Sequence, residues 1–313
     1  MFCNNKSIPF DPKKDIPPLT GKVILVTGGN AGLGKQAVLD FARHKPQQIW
    51  LGARSVEKAE ATANEIREQV PDASITVLPL DLASFASIKS AAATVLSSTS
   101  RLDILMLNAG IMAVPHGQTV DGYEIQFGTN HMGHALLTKL LLPLLTKTAS
   151  ESPTSDVRIV SLSSQGPLYL PRGGFDFNSL KSTDAASRST LMLYSQSKLA
   201  NILWARELAK EYPQFTVASL HPGVVNTQLA DGVAAPGFLK TIVKGVFKVV
   251  LIGPEKGVKN QLWAAVAPKE GLKSGEYYEP VGIGGKASED GKDEELAKKL
   301  WEWTEKELEG HCA

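Results

Sequence analysis

The chain has 313 residues, 43% hydrophobic and 21% charged, proportions ordinary for a water-soluble globular protein. With 33 Lys and Arg against 32 Asp and Glu the formal charge is +1, so no basic excess points to nucleic acid. Cys3 and Cys312 stand at opposite ends, outside any metal-ligand spacing, and reduced tail thiols are expected. The sequence contains neither a signal-peptide core nor an apolar run of about eighteen residues, so an intracellular, cytoplasmic protein is expected.

Residues 1–20 carry four prolines and no periodicity, and read as an extended N-terminal arm. From there residues 21–313 read as one domain. Lys22–Thr27 is a short apolar run ahead of glycines, a buried parallel strand. Gly32–His44 reads as a helix and Gln48–Ala53 as the second strand. Ser55 caps a helix to about Gln69, and Ser74–Leu80 is the third strand. A helix follows from Ser84, then Asp103–Asn108 as the fourth strand. One long helix is expected over roughly Asp121–Leu145, and Val157–Ser163 as the fifth strand. Leu191–Leu208 places Leu199, Ile202, Leu203 and Leu208 at helical spacing. After it come a strand at Phe215–His221, a Gly- and Pro-bearing stretch to Pro254 and a helix to about Ala267. A short strand near Glu276–Glu279 and a polar helix over Asp293–Leu308 close the chain. Strands alternating with helices this regularly predict an α/β fold, a central parallel sheet with helices on both faces.

Thr27-Gly28-Gly29-Asn30-Ala31-Gly32-Leu33-Gly34 joins the first strand to the first helix. Glycines there permit a tight turn and let the backbone approach a pyrophosphate at the helix N-terminus, so a single doubly wound Rossmann-type domain is expected. NAD-binding chains usually carry an acidic residue after the second strand to hold the ribose 2′-hydroxyl. Here that place is Gly52-Ala53-Arg54. Without a carboxylate to repel a 2′-phosphate, and with the Arg54 guanidinium to pair with it, NADP(H) is the expected cofactor.

Tyr194 and Lys198 lie one turn apart on one helix face. A free phenol titrates near ~10, and general acid–base work at neutral pH asks for about 4 kcal/mol of help. A nearby ammonium in a shielded site supplies about that much.

With TGGNAGLG, Asp81, LNAG at Leu107–Gly110 and YSQSK in order, the chain resembles the short-chain dehydrogenase/reductase superfamily over roughly Thr20–Thr227. Its glycine spacing is that of the compact TGxxxGxG branch. Within it, NAGIMAVP, FGTNHMGHALLTKLLLP and YSQSKLANILWAREL resemble the retinol dehydrogenase and protochlorophyllide oxidoreductase group and similar fungal oxidoreductases. The resemblance implies roles. Tyr194 becomes the general acid/base, and Lys198 the group that lowers its pKa and holds the nicotinamide ribose. Ser164 becomes the residue bonding the substrate oxygen, with Ser163 an open competitor. Asn130 matches the asparagine that holds a water beside the lysine. For the cofactor it implies Gly28, Asn30, Gly32, Leu33, Gly34 and Arg54. Asp81 and Leu82 fall at the adenine, Asn108 and Gly110 under the adenosine ribose, and Pro222, Gly223, Val225 and Thr227 on the nicotinamide side.

His131, His134 and His221 lack carboxylate or cysteine partners at metal spacing and read as core residues or as supports behind the site residues; no metal is expected. The expected substrate is a small lipophilic carbonyl or alcohol, with retinoid, steroid, fatty aldehyde and polyketide ketone all open. Two rivals stand beside this reading: a non-catalytic NADPH-binding sensor or scaffold, and a light-dependent reductase. An insert at about 165–190 reads as a substrate rim that obstructs packing of the Tyr194 helix against a second subunit, so a monomer or dimer is expected. Residues 228–254 read either as a mobile lid or as an interfacial helix with lysines among headgroups, membrane contact being peripheral at most.

Overall fold

The computed structural model describes residues 6–152, 154–181, 188–223 and 253–311. Seven strands form one sheet: β1 Val23–Thr27, β2 Gln48–Ala53, β3 Ile75–Pro79, β4 Ile104–Leu107, β5 Val157–Leu162, β6 Phe215–Leu220 and β7 Glu276–Tyr278. Their order is β3-β2-β1-β4-β5-β6-β7 and every neighbouring pair is parallel. Such a sheet needs cover on both faces, which explains why β1, β4 and β5 are buried along their whole lengths and mostly apolar, with Arg158 of β5 paired to Asp156. β3, at the edge, instead buries Ile75 and Leu78 and leaves Thr76 and Pro79 exposed.

The principal helices are α1 Gly32–Ala42, α2 Val56–Gln69, α3 Phe85–Ser98, α4 Gly133–Ser150, α5 Thr190–Glu211, α6 Lys259–Val266 and α7 Glu294–Glu307. Ser55, Ser84, Ser189 and Asp293 each accept an amide hydrogen bond at the head of their helix, so sequence-local chemistry sets these starts. One core layer joins Phe41, Val38 and Ile66 to Leu262 and Trp263, the contribution of α1, α2 and α6. The opposite layer joins Ile88, Leu137, Leu141, Leu199 and Leu203, from α3, α4 and α5. Strand order reverses between β1 and β4, and in a sheet of this kind the crevice beyond the carboxyl ends of those strands is the natural place for a ligand.

Two expectations change. The helix expected over Asp121–Leu145 is broken: a short helix at Ile125–Phe127 runs into a π turn at Gly128–Met132, and α4 continues to Ser150. In that turn the Gly133 amide reaches back five residues to the Gly128 carbonyl. The N-terminal arm is not extended throughout. Pro12–Asp15 forms a helical turn capped by Asp11, with Ile16 and Leu19 buried against the domain. Two elements pack on α5: the 165–190 insert, where Gln196 accepts from the Asp176 amide and donates to Ser179 Oγ, each at 2.9 Å, and α7. Trp301 stacks on Trp204 at 6.3 Å, Thr304 meets His131 at 3.0 Å and Glu307 accepts from the Tyr123 hydroxyl at 2.9 Å.

Among the described residues no helix is long and apolar enough to cross a membrane, and no three metal-ligating side chains gather. Cys3, Cys312, Val225, Thr227 and residues 228–252 of the expected lid lie outside the described residues.

Candidate active site

The first half of the site is the turn after β1. Gly28 and Gly32 have φ of +66° and +51°, values that favour glycine. At Gly34 a Cβ would stand 2.1 Å from the Gly28 carbonyl oxygen, so the first turn of α1 packs on the loop only because that side chain is absent. Leu33 is buried beneath it. Asn108 ties the end of β4 to the same turn, donating Nδ2 to the Thr27 carbonyl at 2.9 Å.

A cleft opens beside this turn. Gly28, Asn30, Arg54, Asp81, Leu82 and Gly110, all expected at the cofactor, line it. Gly32 borders the adjoining hollow between α1 and α2. One Asp81 oxygen accepts from the Ala83 amide at 3.0 Å, which fixes the carboxylate at the rim. Sequence reasoning missed Lys58, which lines the cleft with Arg54. Ser55 starts α2 by accepting from the Lys58 amide, so this lysine occupies the first turn. A cation there opposes the helix dipole, and that local violation was a readable sign of an anion site. Among the described residues neither Arg54 nor Lys58 pairs with a carboxylate. Thr129 was missed too; it lines the cleft with Oγ1 buried and unpartnered.

The second half is carried by α5 and the end of β5. Tyr194 and Lys198 are both buried, 8% and 4% exposed. Ser163 donates its hydroxyl to the Lys198 main-chain carbonyl at 2.7 Å, and is thereby occupied. Ser164 faces the Tyr194 phenol. Its oxygen also accepts from the Gly166 amide at 3.0 Å, and its carbonyl accepts from the Tyr277 hydroxyl at 3.2 Å. Tyr277, on β7, is a further residue that local sequence gave no reason to choose.

Burial pushes the Tyr194 phenol above its ordinary pKa, and the Ser164 hydrogen bond opposes that rise. Burial also pulls Lys198 down to about 8. Burial thus outweighs the lowering of Tyr194 expected from Lys198. The ammonium donates to the Leu162 carbonyl at 2.9 Å and stands 5.9 Å from the phenol ring centre, while desolvation acts on the whole phenolate.

Asn130 sits in the π turn. Its Oδ1 accepts from the Ile111 amide at 2.8 Å, and Nδ2 donates to the Ile111 carbonyl at 3.0 Å and to Ser197 Oγ at 2.9 Å. A Cβ on Gly110 would meet Asn130 Oδ1 at 3.2 Å and Lys198 Nζ at 3.3 Å, so the two expected halves converge at this glycine. Pro222 and Gly223 follow β6, Gly223 with φ of +94°. His131 and His134 are buried and held neutral by desolvation, at about 3 and about 4; His221, also buried, is at about 4.

This arrangement matches known proteins. A family model described as short chain dehydrogenase matches residues 22–170. A short-chain dehydrogenase/reductase of Armillaria gallica is 39% identical over 305 residues, 95% of this chain and 94% of that protein. Retinol dehydrogenase 13 of Homo sapiens is 38% identical over 288 residues, 90% of this chain and 83% of that protein. Among solved structures, an uncharacterised protein of Mycobacterium paratuberculosis superposes with a TM-score of 0.71 at 28% identity, over 94% of this chain and 96% of that one.

Proposed function

The chain belongs to the short-chain dehydrogenase/reductase family, and from that membership we propose that it is an NADP(H)-dependent oxidoreductase acting on a lipophilic carbonyl or alcohol. The observation that carries this reading is the convergence of Ser164 on the Tyr194 phenol beside Lys198 and Asn130, at the end of a cleft built by the glycine turn. The cleft suits a dinucleotide: Gly28 and Gly34 clear its floor, and Arg54 and Lys58 offer two cations for a 2′-phosphate. Pro222, Gly223, Val225 and Thr227 would border its nicotinamide end.

NADPH, when bound, supplies the hydride. Tyr194, its phenol kept protonated by burial, gives its proton to the substrate oxygen. Ser164 donates to that same oxygen, a two-donor arrangement that favours the developing negative charge. Lys198 stabilises the tyrosinate left behind, and Asn130 holds Ile111 and Ser197 in register around it. In the alcohol-oxidising direction tyrosinate takes the hydroxyl proton. A greasy substrate is supported by the exposed apolar side chains in and beside the 165–190 insert, Leu168 at 50%, Tyr169 at 80% and Leu191 at 58%. The name of the human relative points the same way for that protein. We place the protein in the cytoplasm, with peripheral membrane contact at most, and as a monomer or dimer, since α7 already covers the outer face of α5.

The test is a steady-state assay of NADPH oxidation and NADP+ reduction over a carbonyl and alcohol panel. Tyr194→Phe is expected to bind NADPH and lose nearly all turnover. If that variant keeps more than about a tenth of wild-type turnover on the best substrate, Tyr194 is not the proton donor. NADPH binding without turnover anywhere on the panel would favour a sensor or scaffold instead.

A further inference from the structure

His134 stands in the first turn of α4, 3% exposed, between two parts of the site that share no element. Its Nε2 lies 2.9 Å from Thr27 Oγ1, at the end of β1, and its Nδ1 lies 3.0 Å from the Asn130 main-chain oxygen. The proton on this ring can be placed by counting. Thr27 Oγ1 accepts from the Asn108 amide and the Ala109 amide, each at 3.0 Å. A hydroxyl has two lone pairs and one proton, so what Thr27 has left to offer is the proton. The Met106 carbonyl is at 3.5 Å, the limit of a bond, whereas Nε2 is at 2.9 Å. Nε2 therefore accepts, Nδ1 carries the imidazole hydrogen, and Nδ1–H donates to Asn130.

On the far side, Asn130 bonds both polar main-chain atoms of Ile111 on the cleft wall, and Ser197. Ser197 Oγ in turn donates to the Tyr194 carbonyl at 2.7 Å. We infer that His134 is a positioning residue: with its proton on Nδ1, it locks Thr27 and the nucleotide-binding turn to Asn130 and, through it, to the α5 turn carrying Tyr194.

The charge on the ring matters as well as its bonds. Lys198 of α5 faces His134, and the neutral His131 lies on the preceding turn. A proton on Nε2 would displace the Thr27 donor and set a second positive charge against Lys198. Burial, with Lys198 adding to it, keeps the ring neutral down to about 4.

The role assigned to His134 rests on the hydride-transfer reading above; its protonation pattern does not, and the experiment separates them. Long-range 15N–1H NMR on the histidine-labelled full chain is expected to show His134 as the Nδ1–H tautomer, neutral at pH 6. An Nε2–H tautomer would overturn the inference whatever the enzyme does. In kinetics, His134→Leu removes both bonds, whereas His134→Asn keeps a donor near the Nδ1 position. His134→Leu is expected to lower kcat about tenfold with KM for the best carbonyl within about twofold, and His134→Asn to recover most of that loss. Leu and Asn variants equally impaired, or a Leu variant within about twofold of wild type, would overturn the positioning role while a dead Tyr194→Phe left the hydride-transfer reading intact. If the Leu variant does not fold, His134→Gln replaces it, its amide reaching toward Thr27 instead; Asn is expected to outperform Gln, and the reverse order would overturn the inference. A wild-type protein without NADPH-linked turnover would sink the hydride-transfer reading and the role of His134 with it.

Discussion

Ser163 spends its hydroxyl on the Lys198 carbonyl, 2.7 Å away, while Ser164, one residue on, turns its own toward the Tyr194 phenol. Successive side chains leaving a strand point to opposite sides, so adjacent serines divide into an anchor for α5 and a donor at the reacting oxygen. Ser164→Ala is expected to lower kcat by roughly 10²–10³ with NADPH affinity unchanged, as removal of an oxyanion donor does. Ser163→Ala is expected to cost about 1 kcal/mol of stability and to reduce kcat far less. Turnover and denaturant unfolding of the two variants check this, and the assignment reverses if Ser163→Ala is the inactive one.

What was legible in the sequence was local. The glycines of Thr27–Gly34, the caps at Ser55 and Ser84, and the four-residue step from Tyr194 to Lys198 each depend on near neighbours, and the structure forms all of them. What was not legible depends on partners far along the chain. Ser163 and Ser164 are told apart by the Lys198 carbonyl, and the Tyr277 hydroxyl finds its partner 113 residues away. The π turn at Gly128–Met132 stayed hidden because one added residue leaves the apolar periodicity on either side intact. The helix Glu294–Glu307 read as a polar tail element, yet Ala297, Leu300 and Thr304 are fully buried.

Arg54 and Lys58 make the cofactor preference divisible. Both are exposed cations lining the cleft, and two contacts to a dianionic 2′-phosphate are expected to make NADPH bind more tightly than NADH by roughly 2–3 kcal/mol. Arg54→Ala should remove most of that preference and leave NADH affinity nearly intact; Lys58→Ala should remove a smaller part, an ammonium being a point charge where the guanidinium is a fork. Fluorescence titration with each cofactor measures both. Equal wild-type affinity for NADPH and NADH would reject the assignment.

Lys198 sets an alkaline limit on reduction. Its pKa is pulled from 10.5 to about 8 by burial, so its charge is lost as pH rises through that value. Tyr194 is raised by burial and keeps its proton over the same range, so the loss belongs to the lysine. NADPH-driven kcat/KM is therefore expected to fall between about pH 7 and 9. Lys198→Arg, charged throughout, should be slower at neutral pH but lack that limb. The same shift makes folding stability rise with pH between those two pKa values, where the unfolded chain holds the proton and the folded one does not. A wild-type profile flat to about pH 9.5 would contradict this.

Asp103 predicts the acid behaviour of the fold. Its side chain is 1% exposed at the foot of β4 and accepts from Arg101 Nη2 at 2.6 Å, the Val23 amide at 2.9 Å and Lys22 Nζ at 3.0 Å. Burial pushes this carboxyl up, but the hydrogen bonds from Arg101, Val23 and Lys22, with the Lys22 charge, outweigh it and hold the pKa below its ordinary value. A folded-state pKa below the unfolded one means the unfolded chain binds the proton more readily. Stability from this group is thus fully present above the unfolded pKa near ~3.9 and is lost as pH falls through the lower folded value. Asp103→Asn should cost about 2–3 kcal/mol at neutral pH, since it removes the charge from a buried acceptor while Arg101 keeps Glu151 at 3.2 Å and Lys22 keeps access to water, and should flatten the loss of stability below about pH 4. Urea unfolding of both proteins from pH 7 to about pH 3 reads the two effects separately. An Asn variant within about 1 kcal/mol of wild type at pH 7 would show that Arg101 and Lys22 find water as readily as they find Asp103.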